Sequence, residues 1–257
     1  MTRKITDWAG QIVAFMLVIL VNAMANSVPI GGQTTGEVSA KYPTLFTPAA
    51  FTFSIWGAIY LALLGYVVYQ AIPARRTDPT LHAISWLFVV SCLSNVAWLL
   101  AWHYDLLWLS VLLMAVLLTT LIRIYSIINS TTQSISIPRR IFLHVPFSLY
   151  TAWIVVALIA NISAVQFEMG WQNLAASEEN WTLFKLAVAG TVGATMILLR
   201  ADLVFVLVIT WAAFGIAVKQ AATPSVAGAA TMLVYLGVLL AGLAIIARAG
   251  RVLRAKK

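Results

Sequence analysis

Charged residues are scarce in this sequence and make up only 9% of its 257 residues. A soluble domain of that length carries roughly a quarter charged residues. Hydrophobic residues instead account for 62%, and the mean hydropathy is +0.94. The shortage of charge excludes a soluble globular domain. It predicts an all-α, polytopic transmembrane helix bundle whose surroundings are the lipid bilayer.

Cysteine is nearly absent, because Cys92 stands alone inside an apolar run. A single cysteine excludes an intramolecular disulfide and any metal site built from several thiolates. Histidine is also rare, and His82 and His103 fall at opposite ends of one predicted span, so they and His144 cannot all bind one ion. We expect no metal site and no conventional acid–base or nucleophile constellation.

Acidic residues number 8 against 16 lysines and arginines, which gives a formal net charge of +8. Such an excess can indicate nucleic-acid binding, but the positions of the charges favour another explanation. If the N-terminus is cytoplasmic, every basic residue except Lys41, Lys185 and Lys219 falls on the cytoplasmic side. This is the positive-inside pattern of membrane proteins. We therefore expect cytoplasmic N- and C-termini, the inner (plasma) membrane of a prokaryote, and no nucleic-acid partner.

Several apolar runs are long enough to cross a bilayer when tilt is allowed for. We predict about eight spans, at residues 9–30, 50–72, 83–102, 106–128, 140–162, 182–199, 202–219 and 226–247. The first run has no convincing cleavage site and contains Gln11, Asn22 and Asn26, so we interpret it as a retained helix rather than a signal peptide. The loop at 31–46 is long for a tight bundle, and either a lid or a plain flexible loop would explain it.

Aromatic and amide side chains form stripes on three of these spans. We expect the second span to begin with Thr47 as N-cap and Pro48 at the first helical position, and Pro146 to kink the fifth. An amide within a bilayer needs a polar partner, so the stripes should face the bundle interior. They fit either an aromatic packing stripe or the walls of a flat ligand pocket. The stripes are Phe53, Trp56 and Tyr60; Ser91, Asn95, Trp98 and Trp102; and Tyr150, Trp153, Ala157 and Asn161.

The order and spacing of these residues resemble those of a known family. The motifs are Pro48-x-x-Phe51-x-Phe53-x-x-Trp56-x-x-x-Tyr60-x-x-x-x-Gly65, then Asn95-x-x-Trp98, then Pro146-x-x-x-Tyr150-x-x-Trp153-x-x-x-Ala157-x-x-x-Asn161. Together they resemble the TspO/MBR family of tryptophan-rich sensory proteins and translocator proteins. The resemblance covers roughly 9–162. It implies a five-helix core at 1–162, followed by a three-helix membrane extension with a basic cytoplasmic tail at 163–257.

The resemblance also implies a ligand and a site. The family is associated with porphyrins, haem and sterols, bound between helices in a pocket that the loop after the first span closes. The ligand-binding residues it implies here are Phe51, Phe53, Trp56, Tyr60, Asn95, Trp98, Tyr150, Trp153 and Asn161. Phe51 stands where tryptophan is usual in the family. No cofactor is required, although a porphyrin or haem would be the bound ligand, and the pattern leaves a homodimer open.

Three functions fit the sequence, and we favour a membrane ligand-binding protein with a sensory or regulatory role for a planar hydrophobic molecule, such as a porphyrin or other tetrapyrrole. Flat aromatic walls suit such a ligand through offset stacking. A transporter of a hydrophobic small molecule is an alternative, but no buried acidic residue, mid-span lysine or internal repeat supports it. A porphyrin-degrading enzyme is the third, and we expect no catalytic residues of conventional type.

Overall fold

The computed structural model describes residues 3–28, 30–130, 136–171 and 176–254, so Lys256 and Lys257 of the predicted basic tail lie outside the described residues. Helices dominate, and no strand occurs in these ranges. The helices are α1 (Ile5–Ser27), α2 (Thr35–Lys41), α3 (Ile55–Ala71), α4 (Pro79–His103), α5 (Leu107–Asn129), α6 (Ile137–Arg139), α7 (Val145–Glu168), α8 (Glu178–Arg200), α9 (Leu203–Lys219) and α10 (Pro224–Arg254).

The structure bears out seven of the eight predicted spans by length and composition. Within the described ranges, 7 helical segments are long and apolar enough to span a bilayer. The remaining predicted span, 202–219, corresponds to α9, which has 17 residues. At 1.5 Å per residue it reaches about 26 Å, slightly less than the ~30 Å hydrocarbon core. The predicted all-α, polytopic bundle is confirmed, with α9 shorter than the other spans.

Side chains that accept hydrogen bonds fix the starts of several helices. Asp78 accepts from the backbone N–H groups of Thr80 and Leu81, at 2.9 and 3.3 Å, and Pro79 occupies the first position of α4. Ser177 caps α8 and Asp202 caps α9 in the same way. Each cap satisfies donors that have no partner within the helix, which is why the helices begin at these residues.

The contacts divide the chain into two compact units, each described by itself. The first comprises Met1–Pro43 and Ser54–Val165. In it α4 packs along both α5 and α1. Its interior includes Tyr66, Phe88 and Phe147, whose rings meet edge to face with centroids 4.8 to 6.0 Å apart. Aromatic pairs favour this geometry because the positive edge of one ring meets the negative face of another.

A buried polar network fastens the start of α1 to α3 and α4. The guanidinium of Arg3 donates to the Gln70 side-chain oxygen at 2.7 Å, to the Gln70 carbonyl at 3.0 Å and to Ser85 Oγ at 3.2 Å. Gln11 Nε2 donates to the same Gln70 oxygen at 3.3 Å, and Tyr66 donates its hydroxyl to Gln11 at 2.5 Å. The amide of Gln11, expected to face the bundle interior, therefore binds neighbouring helices.

The helix that carries the third stripe is irregular just before Pro146. Residues Arg140–His144 form a π-helical segment between α6 and α7, and the Val145 N–H bonds back to the Arg140 carbonyl. Proline lacks an N–H, so the ordinary α-helical bond is missing at Pro146. Inserted π-helical turns of this kind are a common cause of local bending. The disturbance expected at Pro146 thus takes the form of a π-helical turn beside it.

The second unit comprises Thr44–Phe53 and Gln166–Lys257. Its short first segment shows that the predicted helix start at Thr47 and Pro48 was wrong. Thr47 does not cap an α-helix, because its hydroxyl pairs with that of Thr44 at 2.8 Å. A 3₁₀ helix covers Ala50–Ser54, and α3 begins only at Ile55. The reason is tertiary: the Ala49 N–H donates to the Gly215 carbonyl on α9 at 3.0 Å, which draws this segment away from helical pairing.

Small residues let the helices of the second unit approach closely. A Cβ added at Gly190 would lie 2.8 Å from Leu233 on α10, and one at Gly193 would lie 3.4 Å from Ile209 on α9. A Cβ at Gly237 would lie 2.0 Å from the hydroxyl oxygen of Thr210. Membrane helices associate through such small-residue surfaces, since lipid gives apolar side chains little reason to cluster. Gly190, Gly193 and Gly237 therefore mark the places where the helices of this unit pack most closely.

Candidate ligand-binding site

Five aromatic side chains from three helices of the first unit meet around Trp56. We call Trp56, Tyr60, Trp98, Tyr150 and Trp153 the aromatic cluster. The Trp56 ring lies 5.5 Å from Tyr60 and 6.1 Å from Trp98, both at an interplanar angle of 23°. Tyr150 and Trp153 meet it edge on, each at 6.2 Å. The structure thus brings together five of the residues predicted to bind a ligand.

Burial is uneven within the aromatic cluster. Trp98, Tyr150 and Trp153, which come from α4 and α7, are buried. Trp56 and Tyr60, which come from α3, are only half-buried. The rings of α4 and α7 therefore form the buried part of the aromatic cluster, and the rings of α3 form its more accessible part.

Asparagine amides link the helices beneath these rings. Asn22 Nδ2 on α1 donates to Asn95 Oδ1 at 3.0 Å, and Asn95 Nδ2 donates to the Tyr150 hydroxyl at 3.0 Å. Asn95 is fully buried. Its amide therefore serves as an interhelical link that orients Tyr150.

Two buried polar atoms in the aromatic cluster have no hydrogen-bond partner among the described residues. They are the Tyr60 hydroxyl oxygen and the Trp98 indole nitrogen Nε1. Both groups are donors. Native proteins leave few buried polar groups unpaired, so each instance invites an explanation. A molecule with an acceptor atom at this position would satisfy them.

Phe51, Phe53 and Asn161 complete the set of predicted site residues. Phe51 and Phe53 belong to the second unit, where the Phe51 ring meets Trp211 at 5.5 Å and Phe214 at 5.8 Å. Asn161 is buried on α7, and its side-chain oxygen accepts from Ser110 Oγ on α5 at 3.0 Å. It lies two helical turns beyond Trp153, about 12 Å along the axis. Its bond is a helix-to-helix link.

The loop after α1 is fastened to the end of α4, a feature that the sequence did not reveal. Within it, α2 begins with a capping box in which Thr34 and Glu37 bond each other's backbone N–H groups. Lys41 Nζ lies 2.5 Å from Asp105 Oδ2, and the Tyr42 hydroxyl donates to Asp105 Oδ1 at 2.9 Å. We call Lys41, Tyr42 and Asp105 the latch. The described part of the loop is therefore held against the end of α4, and its role as a lid stays a prediction.

His103 takes part in the same attachment. It is buried at the end of α4, where its Nδ1 lies 2.8 Å from the Leu99 carbonyl and so donates to it. Its Nε2 lies 3.5 Å from the Thr35 hydroxyl on α2. Among the described residues, no group of three histidine, cysteine or acidic side chains is arranged to hold a metal ion.

The latch gives Asp105 a perturbed acidity. Partial burial raises the pKa of the Asp105 carboxyl, but hydrogen bonds from Lys41 and Tyr42 and the charge of Lys41 outweigh that effect and hold the pKa below its ordinary value of 3.8. A lowered carboxyl pKa contributes stability above the unfolded pKa, and this stability is lost as pH falls through the folded pKa. The latch should therefore stay intact at neutral pH and open only in strong acid.

We expect Asp105→Asn to loosen α2 without unfolding the protein. The substitution removes the carboxylate that holds Lys41 and Tyr42, but the pair is exposed, so the free energy of unfolding should change by less than about 1 kcal/mol. Hydrogen–deuterium exchange of the Thr35–Lys41 amides at pH 7 should become faster. Glu179→Gln, which neutralises a carboxylate on α8, is the control. Unchanged exchange in α2 would show that the latch does not hold it.

Comparison with protein families assigns the chain. A family model described as TSPO-like protein matches residues 7–246. The match runs through α8 and α9 and most of α10, so it includes the helices predicted as an extension of a five-helix core. Comparisons with curated proteins and with solved structures gave no match. Because the family model covers nearly the whole sequence, the chain belongs to the family of TSPO-like proteins.

Proposed function

We propose that this membrane protein binds a planar hydrophobic molecule, a porphyrin or another tetrapyrrole, and that the aromatic cluster is the binding surface. Membership of the TSPO-like family supports an integral membrane protein with a ligand-binding or sensory role. The arrangement of the rings supports the planar ligand. The single observation that carries the proposal is the pair of unpartnered donors, Tyr60 OH and Trp98 Nε1, within this group of rings.

The ring spacing constrains how such a ligand binds. Tyr60, Trp56 and Trp98 follow one another with centroids 5.5 and 6.1 Å apart, which leaves no room for a macrocycle between them. A planar ligand must instead lie against the half-buried side formed by Trp56 and Tyr60. There its flat ring stacks on these side chains, and its polar edge is directed into the aromatic cluster towards the unpartnered donors.

The two unpartnered donors determine which functional groups a ligand should carry at its edge. A buried donor left unpaired costs about 1–3 kcal/mol, and a bound acceptor recovers that cost. Tyr60 and Trp98 therefore favour a ligand that carries a carboxylate or carbonyl group over a plain hydrocarbon. Porphyrins with carboxylate side chains combine a flat aromatic ring with such an edge. The site can hold this ligand without a metal-binding residue.

We expect protoporphyrin IX to bind the purified protein in detergent, measured from the absorbance band of the porphyrin itself. Trp98→Phe and Tyr60→Phe keep a ring in place but remove the donor. Loss of one hydrogen bond to a charged acceptor should weaken binding about tenfold or more. Following the porphyrin rather than tryptophan fluorescence keeps the readout independent of the number of tryptophans.

Trp108→Phe is the matched control, because Trp108 is exposed on α5 outside the aromatic cluster. It should leave the affinity unchanged. The proposal fails if protoporphyrin IX does not bind the native chain. It also fails if Trp98→Phe and Tyr60→Phe bind as tightly as Trp108→Phe.

A further inference from the structure

An apolar groove runs along the outer side of α3, apart from the aromatic cluster. It encloses about 410 Å³. Leu61, Leu64, Val68 and Ile72 line it from the α3 side, and Phe142 closes it from the π-helical segment. Leu61, Leu64, Val68 and Ile72 are all exposed in the protein alone. A groove of this composition in a membrane-spanning helix opens towards the acyl chains of the bilayer.

The depth of the groove depends on a glycine, which has no side chain to fill it. Gly65 lies at its centre, and a Cβ added there would come within 3.1 Å of the Phe142 ring. Phe142 in turn stacks on Tyr69, with centroids 5.7 Å apart and an interplanar angle of 19°. The two rings form a rigid wall along one side, while aliphatic side chains form the other.

The length of the groove matches one leaflet of a bilayer. Leu61 and Ile72 are eleven residues apart in the sequence, which corresponds to about 16 Å along a helix. Half of the hydrocarbon core measures about 15 Å. A single acyl chain that lies in the groove would therefore run from the bilayer midplane to the membrane boundary.

Positively charged side chains lie near the end of the groove that meets the membrane boundary. Arg75 follows directly after α3, and its guanidinium carbon lies 4.8 Å from the centroid of the Tyr69 ring. No carboxylate forms an ion pair with Arg75 in the part of the chain that the structure describes. Arg140, which is exposed, begins the π-helical segment that supplies Phe142. The hydroxyl of Tyr69 is also buried without a hydrogen-bond partner among the described residues.

We propose that this groove is a specific site for an anionic phospholipid of the bilayer. One acyl chain lies between α3 and Phe142, and the phosphate lies at Arg75 with Arg140 nearby. The groove accounts for the chain and the unpaired guanidinium for the headgroup charge. A zwitterionic lipid fits the same groove but gains less from Arg75, so the site discriminates by charge rather than by shape. The proposal is independent of the ligand bound by the aromatic cluster.

The test measures which lipid the full-length protein retains. The protein is exchanged into detergent containing equal amounts of phosphatidylglycerol and phosphatidylcholine with identical acyl chains, and the first bound lipid is identified by native mass spectrometry. We expect phosphatidylglycerol to be preferred about fivefold, the ratio that corresponds to about 1 kcal/mol for one basic side chain. Arg75→Gln should remove this preference, and Val68→Trp, which fills the groove, should reduce retention of both lipids.

Two control variants separate the site from general lipid contact. Arg123→Gln removes an exposed arginine of α5, and Val13→Trp adds an indole to an exposed position of α1. Both should retain lipid as the native chain does. Equal retention of the two lipids by the native chain overturns the proposal. So does a preference that Arg75→Gln leaves intact, or retention that Val68→Trp and Val13→Trp lower equally.

Discussion

Gly215→Ala is expected to lower the stability of the protein by about 2–5 kcal/mol, because the new methyl group has no space. A Cβ at Gly215 would lie 2.0 Å from the Thr52 hydroxyl oxygen and 3.0 Å from Pro48 Cβ. The segment that carries these residues would have to move away from α9. That movement would break the bond from Ala49 N–H to the Gly215 carbonyl and the bond from Trp211 Nε1 to the Thr52 carbonyl, both 3.0 Å long.

The measurement is the thermal unfolding midpoint in detergent, which should fall by about 5–15 °C for a chain of this size. Gly242→Ala is the control, because Gly242 also lies inside a helix of the second unit but has nothing within 4 Å of the added Cβ. That substitution keeps the gain in helix propensity, up to about 1 kcal/mol, without the collision. If the two variants unfold at the same temperature, Thr44–Phe53 does not pack against α9 as the structure shows.

The same contact explains why the sequence placed the first α-helical turn of the second span too early. Thr47 and Pro48 form an ordinary helix-start signal. Capping preferences depend only on neighbouring residues, so they cannot take account of a hydrogen-bond partner that is distant in the sequence. Trp211 and Gly215 are more than 150 residues away in sequence, yet they supply the bonds that hold this segment. Phe51 falls in the same segment, which is why its ring meets Trp211 and Phe214. Tertiary hydrogen bonds here outweigh local preference.

The stripe that each helix contributes to the aromatic cluster, by contrast, could be predicted from spacing, whereas the assignment of these stripes to one site came from the resemblance to the TspO/MBR family. Trp56 and Tyr60 are four residues apart, and Tyr150 and Trp153 are three apart. Residues at either separation lie on one face of a helix. Strong hydrophobicity fixed the helices, and an amide such as Asn95 had to face inward. Spacing does not report distances between helices. It therefore did not show that Asn95 bonds Tyr150 or that Asn161 bonds Ser110.

The burial of Arg3, just before α1, was even harder to predict from the sequence. Arg3 counted only as one of the basic residues that indicate topology, whereas the structure leaves it 5% exposed. Burial lowers the pKa of the Arg3 guanidinium, with partial compensation from nearby Tyr66, Asp7 and Asp78, but an arginine remains charged. Nothing in the sequence near Arg3 identifies its main partner, since Gln70 is distant and lies off the aromatic stripe of its own helix.

Gln70→Met should therefore destabilise the protein by about 3 kcal/mol or more, because it leaves a buried charge without its main acceptor. The Gln70 side chain accepts from Arg3 at 2.7 Å and from Gln11 at 3.3 Å, and donates to the Trp8 carbonyl at 3.0 Å. No carboxylate forms an ion pair with Arg3 in the described ranges, so no anion takes the place of the lost amide oxygen. Methionine has a similar volume, which separates the loss of hydrogen bonds from the creation of a cavity. The thermal midpoint in detergent measures the loss.

The double variant Arg3→Met/Gln70→Met decides whether the loss arises from the pair. Removing one partner leaves the other buried and unsatisfied, whereas replacing both with apolar side chains removes that penalty. The double variant should therefore be more stable than the sum of the two single effects predicts, by at least about 1 kcal/mol. Strict additivity would mean that Arg3 and Gln70 stabilise the fold independently. In that event the start of α1 is held by apolar packing, and the buried guanidinium is a consequence of the fold rather than one of its supports.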